Sequence, residues 1–261
     1  MPAYLWQNFL IDSKVRTYIA TKIAELYTKW WCEALVEIWP WKWSITKKIW
    51  NISPNFFIIE KDDTLKSTVE EILSNLDENI NHQLIMEDVL KVDLEKILEK
   101  RNISTKKTLV IWNLPYYITS PIFRKFFGYG HQDFAGWVFM IQDEVGQKIW
   151  TQSDKKSYLR RLVNYAYQVD YLKWVPAKAF KPAPKVKSCL VGFKIKENIP
   201  NIKFEELVKF LDLYAPYSRK TLWRISKMNE KKWNTDFVIP EDLKSKRLEE
   251  LNWIDIESII N

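Results

Sequence analysis

The sequence predicts an α/β protein built on a parallel sheet, and two patterns support this fold class. Short apolar runs alternate with helical stretches along most of the chain, an order typical of a parallel sheet covered on both faces. Four of those runs end on polar residues, namely Glu37, Glu60, Asp88 and Asn113. Because the carboxyl ends of parallel strands meet at one edge, we expect these residues to surround a ligand there.

The elements of the first half follow in chain order. Asp12 or Ser13 is a suitable N-cap for a first amphipathic helix, whose apolar residues recur at helical spacing up to Leu26. Strands are predicted at Ala34–Ile38, Phe56–Glu60, Gln83–Met86, Thr108–Ile111 and Ala135–Gln142. Helices are predicted from Ser44, from Asp62 to Leu76 and from near Ile118.

The second half continues this order and then changes character. Two helical stretches follow Glu144, and the second of them is Ser157–Tyr167. Two closing strands, residues 168–175 and 188–195, flank the loop PAKAFKPAPKVK. After Glu197 the chain is rich in lysine and predicts helices at Phe204–Leu213, Ser218–Met228 and Ile254–Ile260. The sequence therefore predicts two domains, residues 1–196 with the sheet and residues 197–261 with helices only.

The net charge of +7 is carried by the C-terminal half. From residue 151 onward there are 22 Lys and Arg against 14 Asp and Glu, whereas the first 150 residues hold 18 against 19. This asymmetry indicates a polyanion partner that contacts mainly the C-terminal half. A solvated, lysine-rich helical surface is the alternative interpretation.

Composition also disfavours several classes of protein. No run of about 18 apolar residues and no N-terminal signal pattern occurs, so we expect a cytoplasmic protein that does not contact a membrane. The two cysteines, Cys32 and Cys189, do not fit a disulfide framework or a Cys-x-x-Cys metal site. With only His82 and His131 as histidines, a zinc site or a Ser-His-Asp triad is not expected either. We also expect a monomer.

The most specific stretch is Val110–Ser120, with the sequence VIWNLPYYITS. It has the amide of Asn113, the rigid Pro115 and the ring of Tyr116 directly after a buried strand. The amide oxygen and a backbone carbonyl can accept hydrogen bonds from an exocyclic amine, while the ring stacks on the base that carries this amine. This combination is typical of an adenine-N6 methyltransferase.

Several motifs occur in the order found in one known family: QNFL, NLPYYITSPI, MIQDEV, AFKPAPKVKS and SRKTL. On these motifs the chain resembles the KsgA/Erm family of ribosomal RNA adenine-N6 methyltransferases over nearly its whole length, and the KsgA branch more closely. The resemblance implies a Rossmann-like, class I S-adenosylmethionine-dependent methyltransferase sheet with a small C-terminal α-helical domain. It also implies dimethylation of N6 on two adjacent adenosines in the 3′-terminal hairpin of 16S ribosomal RNA, during small-subunit biogenesis.

The resemblance implies roles for individual residues. S-adenosylmethionine would be held by Asn8, Leu10, the backbone at Trp39, Glu60 (ribose hydroxyls), Asp88 (adenine amino group) and Asn113. Asn113, Pro115 and Tyr116 would carry catalysis, and Tyr116 and Phe180 would stack on the target base. Candidate contacts to RNA phosphates are basic residues of the C-terminal half: Arg160, Arg161, Lys181, Lys185, Arg219, Lys220 and Arg224.

The chain has 5 Gly and 14 Trp, whereas an average usage of about 7% predicts roughly 18 Gly. Trp6, Trp39, Trp41 and Trp112 stand where the family has Gly, and Trp43 stands where it usually has Gly or another small residue. We hypothesise that a UGA codon read as glycine in the source organism is written as Trp in this sequence. The alternative is a chain whose cofactor pocket is lost.

Two other functions stay open on the sequence alone. One is the Erm-type reaction on an adenine of 23S ribosomal RNA, which the NLPYYITSP motif and the long basic tail disfavour. The other is a non-catalytic assembly factor that binds ribosomal RNA. Genuine Trp39 and Trp41 would favour this second function, because their indoles would fill the place of the cofactor.

Overall fold

The fold is described from a computed structural model of the chain. It describes residues 8–40, 45–75, 80–113, 122–123, 126–127, 134–152, 157–233 and 237–261. Within these ranges the predicted α/β class is confirmed, since strands and helices alternate as far as residue 113 and seven strands form one sheet. The predicted start of a helix near Ile118 lies outside the described residues.

Seven strands form the main sheet and two short strands pair separately. The strands are β1 (Phe9–Leu10), β2 (Ala34–Ile38), β3 (Asn55–Glu60), β4 (Asn81–Met86), β5 (Thr108–Asn113), β6 (Gly136–Gln142), β7 (Tyr167–Val175), β8 (Phe180–Lys181) and β9 (Ser188–Ile195). The sheet order is β4-β3-β2-β5-β6-β9-β7, and β1 pairs with β8. The first five strands of that order are parallel, while β9 runs antiparallel to both β6 and β7.

Most of the described helices begin within two residues of a predicted start, whereas the helix Leu94–Glu99 was not predicted. The helices are α1 (Ser13–Lys29), α2 (Thr46–Ile49), α3 (Lys66–Ser74), α4 (Leu94–Glu99), α5 (Asp143–Ile149), α6 (Tyr158–Ala166), α7 (Phe204–Tyr214), α8 (Leu222–Trp233) and α9 (Trp253–Ile260). The predicted N-cap of α1 is confirmed, because Asp12 Oδ1 accepts a hydrogen bond of 3.0 Å from the backbone N–H of Val15.

Two predicted helices begin later than expected. Residues Asp63–Leu65 form a 3-10 turn before α3, and Asp62 Oδ1 caps that turn by accepting from the N–H of Thr64. The helix predicted from Ser218 begins at Leu222, because Ala215–Tyr217 form a separate 3-10 turn and Thr221 pairs with Arg247 in a β-bridge. The backbone groups that the predicted helices would have used are therefore engaged in these turns and in the bridge.

Each face of the sheet buries its own apolar cluster. On one face Leu35, Phe56 and Ile58 pack with α1 and α3. On the other face Val36 and Phe57 belong to a cluster that includes α4 and α6 and continues through α7 to α9. The predicted boundary after residue 196 therefore stays a prediction, since this second cluster crosses it without interruption.

Candidate active site

The carboxyl ends of four neighbouring strands lie at one edge of the sheet, which we call the carboxyl edge. Ile38 is in register with both Ile59 and Trp112, and Glu60 is in register with Met86. Trp39, Glu60, Asp88 and Asn113 follow or end these strands, so the predicted gathering of strand-end residues at one edge is confirmed for their backbone positions. The side chain of Asn113 and the residues Pro115 and Tyr116 lie outside what the structure describes.

Glu60 ends β3 as a buried carboxyl group with one oxygen still available. Its side chain is 1% exposed, and Oε1 accepts from the N–H groups of Lys61 (2.7 Å) and Asp62 (2.8 Å). Oε2 is buried and has no hydrogen-bond partner within the described part of the chain. Buried polar atoms normally have a hydrogen-bond partner. Oε2 is therefore an acceptor that a bound ligand could satisfy.

The environment of Glu60 raises its pKa. Burial is the main cause, and the hydrogen bonds from Asp62 and Lys61 oppose it. The indole N–H of Trp39 also acts against the shift, although it makes no hydrogen bond of ordinary geometry to Oε2. A ligand that donates hydroxyl protons to Oε2 would satisfy this carboxyl group.

Asp88 lies beside Glu60 but remains charged. Its Oδ2 pairs with Lys61 Nζ at 2.7 Å, and its Oδ1 accepts from the N–H of Leu90 at 3.0 Å. The hydrogen bond from Lys61 is the largest cause of a lowered pKa for Asp88. The backbone N–H of Glu87 donates to the carbonyl of Glu60 at 2.9 Å, which ties the two strand ends together. The corner of β3 and β4 therefore presents two acidic acceptors.

Two motifs that are far apart in the sequence meet at the same edge. Leu10 pairs with Phe180 across β1 and β8, and the N–H of Ile11 donates to the carbonyl of Ala179 at 2.8 Å. The loop between β7 and β9 lies at the carboxyl edge because Gln142, the last residue of β6, is in register with Ser188. The described residues of QNFL and AFKPAPK are thus neighbours, and Asn8 of QNFL is half-buried.

Phe180 is buried rather than open to a base. Its side chain is 4% exposed and belongs to the same apolar cluster as Leu10, which is 3% exposed. A flat ring can stack on a base only when one face is accessible. The predicted stacking role therefore requires neighbouring side chains to move away from the ring of Phe180.

The corner formed by β2 and β5 is filled by two indoles. The ring centroids of Trp39 and Trp112 are 6.4 Å apart, and Trp112 is 3% exposed with a buried indole N–H that lacks a partner among the described residues. A cavity of only about 30 Å³ borders Trp112 and is lined in part by Glu37 and Met140, and Trp39 is not among its lining residues. That space holds about one water molecule, whereas pockets for nucleoside-sized ligands are about 300–1,000 Å³.

Two tryptophans adopt a backbone conformation that favours glycine. Trp39 has φ 60° and Trp31 has φ 54°, and bulky residues are rare in this left-handed region. Trp31 follows the last turn of α1, where its N–H donates to Thr28 O (3.1 Å) and the N–H of Cys32 donates to Tyr27 O (3.0 Å). This is a Schellman motif, whose left-handed residue is usually Gly. The backbone conformation of Trp31 by itself therefore indicates that this is a further position where the hypothesis expects Gly.

Glu37 is a buried acid near the end of β2. It is 4% exposed within a strand buried on both faces, and burial raises its pKa to about 8. The hydroxyl of Thr46 opposes this shift, but neither Glu37 Oε2 nor Thr46 Oγ1 makes a hydrogen bond of ordinary geometry within the described residues. The sequence did indicate the burial of Glu37, because an acid within the apolar run ALVEI of a buried strand is not exposed to solvent.

The predicted RNA contacts differ in accessibility. Arg219, Arg224, Lys181 and Lys185 are exposed, whereas Arg160 and Lys220 are half-buried. Arg161 was predicted to contact RNA, and this prediction is wrong for the described conformation. Its side chain is 5% exposed, and its guanidinium donates to the backbone carbonyls of Leu248 and Leu251. These hydrogen bonds from Arg161 therefore connect α6 to the C-terminal segment.

Two further expectations can be compared with the described residues. Among them, no group of three or more His, Cys, Asp or Glu side chains is arranged to hold a metal ion. None of the described helices is long and apolar enough to cross a membrane. Cys32 and Cys189 are both buried free thiols, and burial raises the pKa of each to about 12.

The sheet order and the acidic strand ends define a class I methyltransferase fold. The chain belongs to the ribosomal RNA adenine dimethylase family, whose model matches residues 3–261. It is 32% identical to the ribosomal RNA small subunit methyltransferase A of Onion yellows phytoplasma. The alignment spans 218 residues, which are 83% of this chain and 77% of the relative. The chain is 31% identical over 249 residues to the protein of the same name from Chlorobium limicola, covering 95% of this chain and 87% of the relative.

Solved structures support the same fold. The dimethyladenosine transferase from Plasmodium falciparum superposes with a TM-score of 0.74 at 20% identity, over 95% of each chain. The 23S rRNA methyltransferase ErmE superposes with a TM-score of 0.63 at 18% identity, over 97% of this chain and 99% of ErmE. At these identities the two likenesses establish the architecture and do not choose between substrates.

Proposed function

We propose that this chain uses S-adenosylmethionine to dimethylate N6 of two adjacent adenosines in the 3′-terminal hairpin of small-subunit ribosomal RNA, as a step in small-subunit biogenesis. Family membership supports this class of reaction, and the relatives named small subunit methyltransferase A favour the small subunit. The observation that carries the proposal is the buried Oε2 of Glu60, which has no partner among the described residues, beside the charged Asp88 at the carboxyl edge.

The residues of the β3–β4 corner fit this cofactor well. The two hydroxyls of a ribose can donate to Glu60 Oε2, which lacks a donor in the described part of the chain. The carboxylate of Asp88 can accept from an adenine amino group, since Lys61 engages only Oδ2 by a side-chain contact. When bound, S-adenosylmethionine supplies a methyl group already activated by its sulfonium, so the protein needs no metal ion to activate it.

The β2–β5 corner fits the cofactor only if position 39 lacks a side chain. Nucleotide-type ligands approach the backbone closely at the first strand–helix turn, which is why glycine is found there. The φ of 60° at Trp39 suits glycine, and its indole together with Trp112 fills the space that the ligand would need. The cofactor assignment therefore depends on the glycine hypothesis.

The proposed chemistry uses the chain's own acceptors at the target amine. N6 of adenine is a weak nucleophile because its lone pair is delocalised into the ring. Hydrogen bonds from its two N–H groups to the side-chain oxygen of Asn113 and to the carbonyl of Leu114 or Pro115 would localise and aim that lone pair. Tyr116 would stack on the extruded base, whose removal from its helix costs about a few kcal/mol.

Exposed basic residues would bind the RNA through its phosphates. Lys181 and Lys185 are exposed on the loop beside the carboxyl edge, and Arg219 and Arg224 are exposed at and after the turn that precedes α8. Lys220 is half-buried, with Nζ 5.4 Å from the centroid of the Tyr217 ring. Contacts of this kind set affinity and its dependence on salt rather than sequence preference.

The proposal is tested by methyl transfer to isolated ribosomal subunits that lack the modification. We expect transfer to small subunits and none to large subunits. Transfer to large subunits only would instead establish the Erm-type reaction.

Asn113→Ala tests the catalytic assignment in the same assay. We expect this variant to lose transfer by a factor of at least about a hundred, since one preorganised contact to the reacting group is worth roughly 10²–10³ in rate. RNA affinity should be nearly unchanged. Asn201→Ala, at an exposed asparagine, serves as the control with full activity. Retained transfer in Asn113→Ala would remove Asn113 from the mechanism.

A second function is favoured by one specific observation. If the indoles of Trp39 and Trp112 are genuine, they occupy the β2–β5 corner, where their ring centroids lie 6.4 Å apart. The chain would then be a non-catalytic assembly factor that binds ribosomal RNA through its basic surface. Absence of S-adenosylmethionine binding combined with tight RNA binding distinguishes this function from the enzyme.

A further inference from the structure

Lys61 contacts both acidic acceptors of the β3–β4 corner. Its backbone N–H donates to Glu60 Oε1 at 2.7 Å, and its ammonium Nζ lies 2.7 Å from Asp88 Oδ2. The two contacts are possible together because Glu60 is in register with Met86 and the N–H of Glu87 donates to the carbonyl of Glu60 at 2.9 Å. The side chain of Lys61 therefore links the end of β3 to the residues that follow β4.

The carboxylate of Asp88 is held by a donor on each oxygen. Oδ1 accepts from the N–H of Leu90 at 3.0 Å, and Oδ2 accepts from Lys61. The backbone at this point is anchored, since the neighbouring Val89 and Val92 are 5% and 6% exposed. Lys61 therefore restricts the freedom that remains, which is the rotation of the carboxylate about its own side-chain bonds. A carboxylate has about four lone-pair sites, so Asp88 keeps capacity for a ligand.

The charges around Asp88 make this restraint necessary. The segments EKDD (residues 60–63) and ED (residues 87–88) contain five acids and one lysine. Repulsion between neighbouring carboxylates favours side-chain conformations that move them apart. The hydrogen bond from Lys61 is the largest cause of the lowered pKa of Asp88, so Lys61 offsets this repulsion more than any other contact. Without its ammonium, the carboxylate of Asp88 is expected to turn away from Glu60.

We propose that Lys61 is a positioning residue that makes the cofactor site select adenine over purines with a 6-oxo group. The 6-amino group of adenine donates hydrogen bonds, which a fixed carboxylate accepts, whereas a 6-oxo group presents an acceptor to the same carboxylate. A site built to bind a donor rejects the analogue that lacks it, because its own polar group is left unpaired. This rejection requires the carboxylate of Asp88 to stay in place, and Lys61 holds it there. The inference rests on the proposed S-adenosylmethionine site.

The pair of Lys61 and Asp88 can be removed without loss of the fold. The side chain of Lys61 is 59% exposed, and ion pairs this exposed contribute little to stability. Lys66 provides a matched control, because its Nζ lies 3.9 Å from Glu70 Oε1 and its side chain is 56% exposed. Lys61→Gln and Lys66→Gln therefore remove the same charge from equally exposed ion pairs, of which only the first includes a proposed cofactor acceptor.

The test compares two ligands that differ at the 6-position of the purine, S-adenosylhomocysteine and S-inosylhomocysteine. Each is titrated calorimetrically into the full chain made with the codon assignment of its source organism, and the ratio of the two Kd values is taken. We expect Lys61→Gln to lower the preference for the adenine ligand about fivefold, the upper range for an exposed ion pair. Lys61→Arg should restore the preference, and Lys66→Gln should leave it unchanged. A general loss of binding affects both ligands and leaves the ratio as it was.

A double-variant cycle tests whether Lys61 acts through Asp88. Asp88→Asn should lower the preference more than Lys61→Gln does, because an amide can turn to donate to a 6-oxo group. Adding Lys61→Gln to Asp88→Asn should then change the ratio no further. An unchanged ratio in Lys61→Gln, or a further fall in the double variant, would overturn the proposal.

The same titrations separate this inference from the proposed function. If the unsubstituted chain does not bind S-adenosylhomocysteine, the proposed function is wrong and the role of Lys61 falls with it. If the chain binds this ligand and Glu60→Gln weakens binding, but the ratio does not respond to Lys61→Gln, the proposed function stands and the role of Lys61 is refuted.

Discussion

The two corners of the carboxyl edge contrast sharply in what they offer a ligand. The β3–β4 corner keeps two acidic acceptors, with Glu60 Oε2 unsatisfied in the described residues and Asp88 charged. The β2–β5 corner holds Trp39 and Trp112, whose ring centroids lie 6.4 Å apart, and the cavity that borders Trp112 is only about 30 Å³. The first corner needs particular side chains and has them, while the second needs the absence of side chains and has indoles.

This contrast teaches which kind of change has affected the site. A pocket that had lost its ligand would be expected to lose its acceptors as well as its open space. Here the acceptors remain, and the bulk falls on positions such as Trp39 and Trp31, whose backbone φ of 60° and 54° suits glycine. A systematic replacement of glycine by tryptophan in the written sequence explains both corners together.

The largest effect should come from Trp39→Gly. Removing this indole opens the close approach to the backbone, so we expect S-adenosylmethionine affinity to rise by a factor of at least about a hundred over the protein with Trp39, equivalent to roughly 3 kcal/mol. Calorimetric titration measures this difference, and Trp174→Gly, at an exposed residue of β7 (47% exposed), is the control. Equal affinity in Trp39→Gly and the Trp39 protein would break the contrast between the two corners.

A smaller effect on stability, dependent on pH, is expected at Glu37. Its pKa is raised from about 4.5 to about 8 in the folded protein, so between these values the unfolded chain is ionised while the folded chain keeps the proton. The free energy of unfolding therefore falls as pH rises from about 5 to 8, by up to about a few kcal/mol. Below the lower value the carboxyl group is neutral in both states and this loss is absent.

Glu37→Gln should remove this dependence. Thermal unfolding at several pH values is expected to show the variant gaining stability relative to the unsubstituted protein as pH rises from 5 to 8. Glu70→Gln, at an exposed residue of α3, should show no such trend. A constant difference between Glu37→Gln and the unsubstituted protein across this range would mean that Glu37 is not held neutral by burial.

The smallest effect is expected at Trp31, which lies outside both corners and is 84% exposed. Because its left-handed conformation costs a bulky residue about 1–2 kcal/mol, Trp31→Gly should stabilise the fold by about 1 kcal/mol without changing cofactor affinity. Chemical denaturation measures the change.

Intact mass spectrometry of the protein from its source organism tests the hypothesis that glycine is written as Trp in this sequence, since every Gly in place of Trp lowers the mass. A mass equal to that of the printed sequence would contradict the hypothesis.

The sequence was sufficient to predict the parallel strands and the edge at which they end, because apolar runs and their order restrict the topology strongly. It also identified Glu60 and Asp88 as neighbours. It did not reveal that Arg161 is buried, since the carbonyls that it contacts belong to Leu248 and Leu251, almost 90 residues away along the chain. It likewise gave no sign that Leu10 would pair with Phe180, because nothing in a local pattern encodes a partner that distant.

The most direct test of the account is a calorimetric titration of S-adenosylmethionine into the full chain made with the codon assignment of its source organism. The account predicts one binding site per chain and a loss of affinity in Glu60→Gln. The exposed neighbour Glu87 provides the matched control, since Glu87→Gln should bind as the unsubstituted protein does. Absence of binding by the unsubstituted protein would contradict the enzyme assignment and leave the chain as an RNA-binding assembly factor.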